Sequence, residues 1–134
     1  MLQAYSLNTT VAADTAIPFN TIRLEKGCTA RLVSPTTVQL NKAGVYCIKV
    51  NASIEPTAVG DVSIQLSKDG VLLPDAQSIA TGAVGDLESL SFDTLVQVPT
   101  NNSCACYVSP TTLQVINGPA ATYDNITISV TKVC

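Results

Sequence analysis

Apolar and polar residues alternate along most of this chain. Tyr46, Ile48, Val50, Ala52 and Ile54 interleave with Val45, Cys47, Lys49, Asn51 and Ser53. A period of two puts the apolar set on one face of an extended strand and the mixed set on the other. Val62, Ile64 and Leu66 alternate with Ser63, Gln65 and Ser67 in the same way, and Lys68-Asp69-Gly70 follows. Asp-Gly between two apolar runs marks a tight hairpin. The returning run, Val71-Leu72-Leu73, is predicted to end at Pro74, which has no amide proton to give a ladder.

Further on, Leu90, Phe92, Thr94, Val96 and Val98 share one face of a predicted strand that Pro99 stops. Cys104 to Val108 and Leu113 to Ile116 are short runs of β-type composition, and Ile126, Ile128 and Val130 define the last strand. Ile22 with Leu24, and Val38 with Leu40, form two short rows near the start. Helical periodicity is missing. Asp75 to Asp86, with Gly82 and Gly85, lacks strand character and is predicted to be a long loop or lid. About eight short strands punctuated by Gly, Pro and Asn imply a sandwich or barrel. One-sided alternation on the clearest strands favours two packed antiparallel sheets. Met1 to Pro18, polar and without a pattern, is predicted to be an N-terminal arm (1–18) ahead of a domain spanning 19–134.

One segment is echoed. Val33-Ser34-Pro35-Thr36-Thr37-Val38-Gln39-Leu40 returns as Val108-Ser109-Pro110-Thr111-Thr112-Leu113-Gln114-Val115. Two copies are too few for a solenoid. They fit two similar corners of a Greek-key sandwich, or two turns that settled independently on the same Ser-Pro chemistry.

Composition narrows the function. Charged residues are 13% of the chain, about half of the usual share. Much of the surface must therefore be small and neutral, as in subunits that hide part of themselves against copies or partners. The net charge is −3, and the seven basic residues, Arg23, Lys26, Arg31, Lys42, Lys49, Lys68 and Lys132, are scattered. Nucleic-acid binding needs a basic stripe, and none is present. No run is long and apolar enough for a membrane-spanning helix. Met1 to Thr10 lacks a basic region followed by an apolar stretch, so the expectation is synthesis in a cytoplasm without a secretory signal.

Catalytic chemistry has few candidates. The chain contains no His, which removes Ser-His and Cys-His nucleophile pairs. Its carboxylates fall mostly in predicted turns, and no Gly-rich phosphate loop follows a strand. Asp61, Asp86 and Glu88 match no calcium loop. The five cysteines, Cys28, Cys47, Cys104, Cys106 and Cys134, form no Cys-x-x-Cys pair, so no metal site is expected. Cys104 and Cys106, two apart on a strand, run parallel and are expected not to bond to each other. No enzyme activity, cofactor or metal is expected.

Leu40-Asn41-Lys42-Ala43-Gly44-Val45-Tyr46-Cys47-Ile48-Lys49-Val50 resembles the signature strand of the tumour-necrosis-factor and complement-head jelly rolls, where a Gly-Val-Tyr step enters a central strand. Val62 to Gly70 looks like that family's next strand and turn, and Ile126 to Val130 like its closing strand. The resemblance covers most of residues 20–133. It implies an all-β, antiparallel two-sheet jelly-roll sandwich that assembles as a trimer, three copies around an axis with one sheet facing inward. Tyr46, Phe92, Tyr107 and Tyr123 are the trimer contacts it implies, since aromatics dominate interface energetics. Core packing is the competing role for Tyr46 and Phe92.

The Thr- and Val-rich, aromatic-poor style is similar to the bacterial and bacteriophage branch of that fold. The family's receptor-loop residues and calcium ligands are not found, so cytokine and complement activities do not carry over. What the branch implies is a homotrimeric structural protein on a phage virion, a capsid-decoration or head-fibre protein made in the host cytoplasm, with the major capsid protein or another virion protein as partner. The alternative is a receptor- or carbohydrate-binding tip of a phage tail or bacterial surface protein. Against it, the predicted 75–86 loop and the Asn101-Asn102 turn carry no aromatic platform.

Overall fold

A computed structural model describes residues 1–27, 29–57, 60–82, 87–98 and 111–133. Ten strands build it: β1 (Leu2–Val11), β2 (Thr21–Glu25), β3 (Ala30–Ser34), β4 (Thr37–Leu40), β5 (Gly44–Pro56), β6 (Gly60–Lys68), β7 (Val71–Gly82), β8 (Glu88–Val98), β9 (Thr111–Asn117) and β10 (Ala121–Lys132). They form two antiparallel five-stranded sheets, ordered β2-β1-β10-β5-β8 and β3-β4-β9-β6-β7. Among the described residues there is no helix.

The alternation decides which rows meet. Tyr46, Ile48, Val50 and Ile54 of β5, Ile126, Ile128 and Val130 of β10, and Leu2 and Ala4 of β1 point inward from the first sheet. Val38, Leu40, Val62, Ile64, Leu66, Leu113 and Val115 answer from the second. All of these are buried. Each full burial of such a side chain is worth roughly 1.5–3 kcal/mol relative to exposure, so the inward rows carry the stability of the sandwich.

The first eighteen residues are not an arm apart from the domain. β1 lies between β2 and β10, paired with β10 from Leu2↔Val130 to Val11↔Ala121. The chain then crosses to the second sheet. There Asp14 N donates to Gly118 O at 3.0 Å, Ile17 N to Val115 O at 2.8 Å and Phe19 N to Pro35 O at 2.6 Å. Ile17 and Phe19 fill the end of the core. The pattern of β1 was hidden because its inward row, Leu2, Ala4 and Ser6, includes a hydroxyl. Ser6 Oγ is satisfied by Asn20 Nδ2 at 3.0 Å and shares a 2.8 Å bond with Thr9 Oγ1.

A second departure concerns β7, which continues past Pro74 through most of the segment expected to be a loop or lid. It is an edge strand, where a missing amide proton is tolerated. The register breaks between Ser67↔Leu72 and Gln65↔Gln77, leaving Pro74 in the irregular stretch. Ala76 and Ala80 then rejoin the core. The Lys68-Asp69-Gly70 hairpin forms as expected. Asp69 takes φ 51° and Gly70 φ 86°, the left-handed pair such a turn requires.

The echoed segments lie side by side. β4 pairs with β9 antiparallel through Val38↔Leu113, Gln39↔Thr112 and Leu40↔Thr111. Val38 and Leu113 are corresponding positions of the two copies, so the pair sits on a local twofold. Gln114 Nε2 donates to Thr37 Oγ1 at 3.1 Å across it.

Candidate interaction surface

The sheet β2-β1-β10-β5-β8 turns its second set of rows to the outside. One row runs Gln3, Ser129, Lys49 and Asp93 across four strands, and the next runs Thr21, Tyr5, Thr127, Asn51 and Ser91. Beyond them lie Leu7, Asn125 and Ser53 at one end, and Thr131, Cys47 and Leu95 at the other. Short hydroxyl and amide side chains fill the middle, so the face is flat and nearly uncharged there. Lys49 and Asp93 are cross-strand neighbours of opposite sign, which leaves that row neutral.

Apolar side chains cluster at the two sides of this face. Leu7 is 58% exposed, Ile22 45% and Leu24 38%, while at the opposite edge Leu95 is 65% exposed. A hollow of about 430 Å³ opens between β1, β2 and β10, lined by Tyr5, Leu7, Ile22, Arg23, Asn125 and Thr127 among others. A second, of about 370 Å³, is bounded by Met1, Cys47, Thr131 and Val133.

Of the four aromatic residues expected at a trimer contact, two lie in the core of the subunit. Tyr46 and Tyr123 are wholly buried between the sheets of one subunit, because both belong to inward rows. The Tyr46 hydroxyl donates to Lys42 O at 2.7 Å, and the Tyr123 hydroxyl to Asn117 Oδ1 at 2.6 Å. Burial raises the pKa of both phenols, for Tyr46 against a smaller opposing effect of its bond to the Lys42 carbonyl. Phe92 also sits in an inward row, opposite Val50, half-buried against the core. Its rim reaches a hollow of about 380 Å³ shared with Lys49, Asn51, Ser91 and Asp93. Tyr107, with Cys104 and Cys106, lies outside the described residues. The residues that do stand on the open face, Tyr5, Leu7, Ile22 and Leu95, were missed. Leu95 had left a signal as the one large apolar side chain in the row Ser91, Asp93, Leu95, Gln97.

Among the described residues no three or more His, Cys, Asp or Glu side chains converge as a metal site would need. The Cys47 thiol stands half-buried on the outward face beside Thr131 and Leu95.

Comparison with solved structures decides the architecture. The globular domain of zebrafish complement 1qA aligns with TM-score 0.74 and 11% identity, covering 99% of this chain and 96% of that one. This chain has the jelly-roll fold of the tumour-necrosis-factor and complement-head domains. The Eiger TNF of S. frugiperda shares the fold at TM-score 0.72 and 12% identity, over 99% of this chain and 92% of that one. So does the PRD1 vertex protein P5, at TM-score 0.60 and 15% identity, over 99% and 96% of the two chains. Neither a protein-family model nor a curated protein sequence matches this chain. At these identities the likeness is one of fold. Within that jelly roll, the sheet described above contains both β1 and the Gly-Val-Tyr strand, β5.

Proposed function

We propose that this protein is a non-enzymatic structural subunit of a phage virion, a homotrimer built through the open face of the β2-β1-β10-β5-β8 sheet that decorates the capsid or forms a head fibre. The observation that carries the proposal is that face, with Leu7, Ile22 and Leu24 exposed on one side and Leu95 on the other, and little charge between. Likeness to a vertex protein of PRD1 supports the virion setting, and the major capsid protein or another virion protein is the proposed partner.

A threefold ring needs two different patches on each subunit, since its contacts are head-to-tail. The two sides of the face differ suitably. The β8 side offers Leu95 with Asp93, and the β1-β2 side offers Leu7 and Ile22 with Arg23. The neighbouring Glu25 is turned to Arg31 at 3.7 Å.

Light scattering behind a sizing column, with and without reductant, is the direct test. The expected mass is near three chains of 14.0 kDa, unchanged by reductant and reduced toward one chain in Leu7→Lys and Leu95→Lys. A monomeric wild-type chain refutes the trimer. Binding of the trimer to empty capsids is expected next. Recognition of a specific sugar on a glycan array, without capsid binding, favours a binding tip instead.

A further inference from the structure

We propose that Asn117 is a latent deamidation site which the fold holds shut, and that its conversion in unfolded chain bars return to the native state. Asn117 is followed by Gly118, the one Asn-Gly step in the sequence. In a free chain this step is the most reactive of its kind, because glycine has no side chain to hinder the attack. The Gly118 backbone nitrogen adds to Asn117 Cγ, the Cγ–Nδ2 bond breaks, and the proton lost from the amide leaves with that nitrogen as ammonia. Water then opens the resulting five-membered imide at either carbonyl, giving aspartate or isoaspartate.

Every atom of that reaction is engaged in the folded subunit. Asn117 is wholly buried at the end of β9. Its Nδ2, the leaving group, donates to Val11 O at 3.3 Å, Ala12 O at 3.0 Å and Pro119 O at 3.1 Å. Its Oδ1 accepts from the Tyr123 hydroxyl at 2.6 Å. The attacking nitrogen is held too, since Gly118 N donates to Ser63 O at 2.9 Å, and Asn117 N donates to Thr15 O at 2.9 Å. The side chain therefore cannot swing onto the Gly118 nitrogen without opening the junction of β1, β6, β9 and β10.

The same contacts make the product a misfit. Aspartate would set a carboxylate oxygen against three carbonyl oxygens in a buried site, where it must stay charged without a donor or take up a proton. Isoaspartate would add a backbone atom at the end of a paired strand and shift the register. Folding before conversion keeps the asparagine, and conversion before folding removes the chain from assembly.

The test holds the full chain folded in buffer, and in parallel unfolded in guanidinium, at the same mildly alkaline pH. Aliquots are mapped by peptide mass spectrometry and returned to native conditions. Conversion at Asn117 is expected to be slower in folded protein by roughly a thousandfold or more, the scarcity of open chain in a marginally stable domain. Refolded material is expected to retain asparagine, and chains carrying the extra negative charge to remain in the misfolded fraction. Asp69-Gly70, the other step prone to imide formation, gives isomerisation without the mass gain and is told apart by it. Asn117→Asp made directly is expected to be insoluble or to melt well below wild type. Equal conversion rates in folded and unfolded chain overturn the proposal. So does refolding of converted chains as complete as that of unconverted ones, or an Asn117→Asp variant as stable as wild type.

Discussion

Replacing Tyr123 by phenylalanine separates a core role from an interface role. The ring would stay in place between the sheets, and only the hydroxyl would go. That hydroxyl is the donor to Asn117 Oδ1 at 2.6 Å, and Asn117 is itself wholly buried. Its loss leaves a buried acceptor unpaired, which costs about 1–3 kcal/mol. In a domain of this size roughly 4 °C of melting temperature goes with each kcal/mol, so the midpoint should fall by roughly 4–12 °C. The assay is guanidinium unfolding of wild type and Tyr123→Phe at two protein concentrations well apart. Because Tyr123 lies inside one subunit, the difference between the two proteins should be the same at both concentrations. Alkali gives an independent reading. The phenol is held neutral in the fold, with its pKa raised above the ordinary 10.0, so the unfolded chain ionises first. The associated stability is complete below pH about 10 and is lost as pH rises through the folded value, by about 1.4 kcal/mol per unit. Tyr123→Phe should lose stability less steeply there, with Tyr46 accounting for part of the remaining slope. Unchanged stability of Tyr123→Phe, or a difference that grows on dilution, would refute the reasoning.

Two further substitutions probe the frame around the site. Asp69→Ala removes the Oδ1 that accepts from Thr112 N at 2.9 Å and from Thr112 Oγ1 at 3.3 Å, and it puts a Cβ residue at φ 51° without a compensating bond. Equilibrium unfolding should show a loss of about 2 kcal/mol, largely recovered in Asp69→Asn. Gly118→Ala would place a methyl group onto Ser63 Oγ and 3.3 Å from Ser63 Cβ, so a loss of about 1–3 kcal/mol is expected. Adding Ser63→Ala to the same chain should restore most of it, a coupling that a double-mutant cycle reads directly.

The strands that the sequence showed plainly are those whose two faces meet different surroundings. β5, β6 and β10 each pack one row on the core and leave the other on polar ground, so their period of two is clean. β1 was illegible for a specific reason. Ser6 occupies a core-facing place and is satisfied there by Asn20, and Asn8 interrupts the strand at φ 50°. Periodicity of hydrophobicity does not register a buried hydroxyl that has a partner three or fourteen residues away. β7 was cut short because proline argues against a strand only where the ladder needs its proton, and an edge strand with a shifted register does not. Tyr46 and Tyr123 were misplaced for another reason. An apolar row shows that Tyr46 and Tyr123 face something apolar, and the opposing sheet of the same subunit supplies it. The proposed contact instead uses the outward rows, which the same alternation defines.

β1 ties the core, the open face and the Asn117 junction together. Its inward Leu2 and Ala4 are buried, while its outward Tyr5 and Leu7 line the hollow beside Ile22 and Arg23. The edge strand β2 pairs with β1 alone, and the Lys26 carbonyl that follows it accepts from the Met1 amino group at 2.9 Å. The β1-β2 side of the proposed contact thus exists only when the first strand has docked on β10. At the other end of β1, the Val11 and Ala12 carbonyls are gripped by Asn117 Nδ2. A chain that has lost that amide loses the clamp where β1 leaves the sheet, and with it the side of the face that Leu7 builds. On the proposed trimer, folding at Asn117 must therefore be finished before the surface for a second copy is complete, so the site proposed to gate refolding would gate assembly as well.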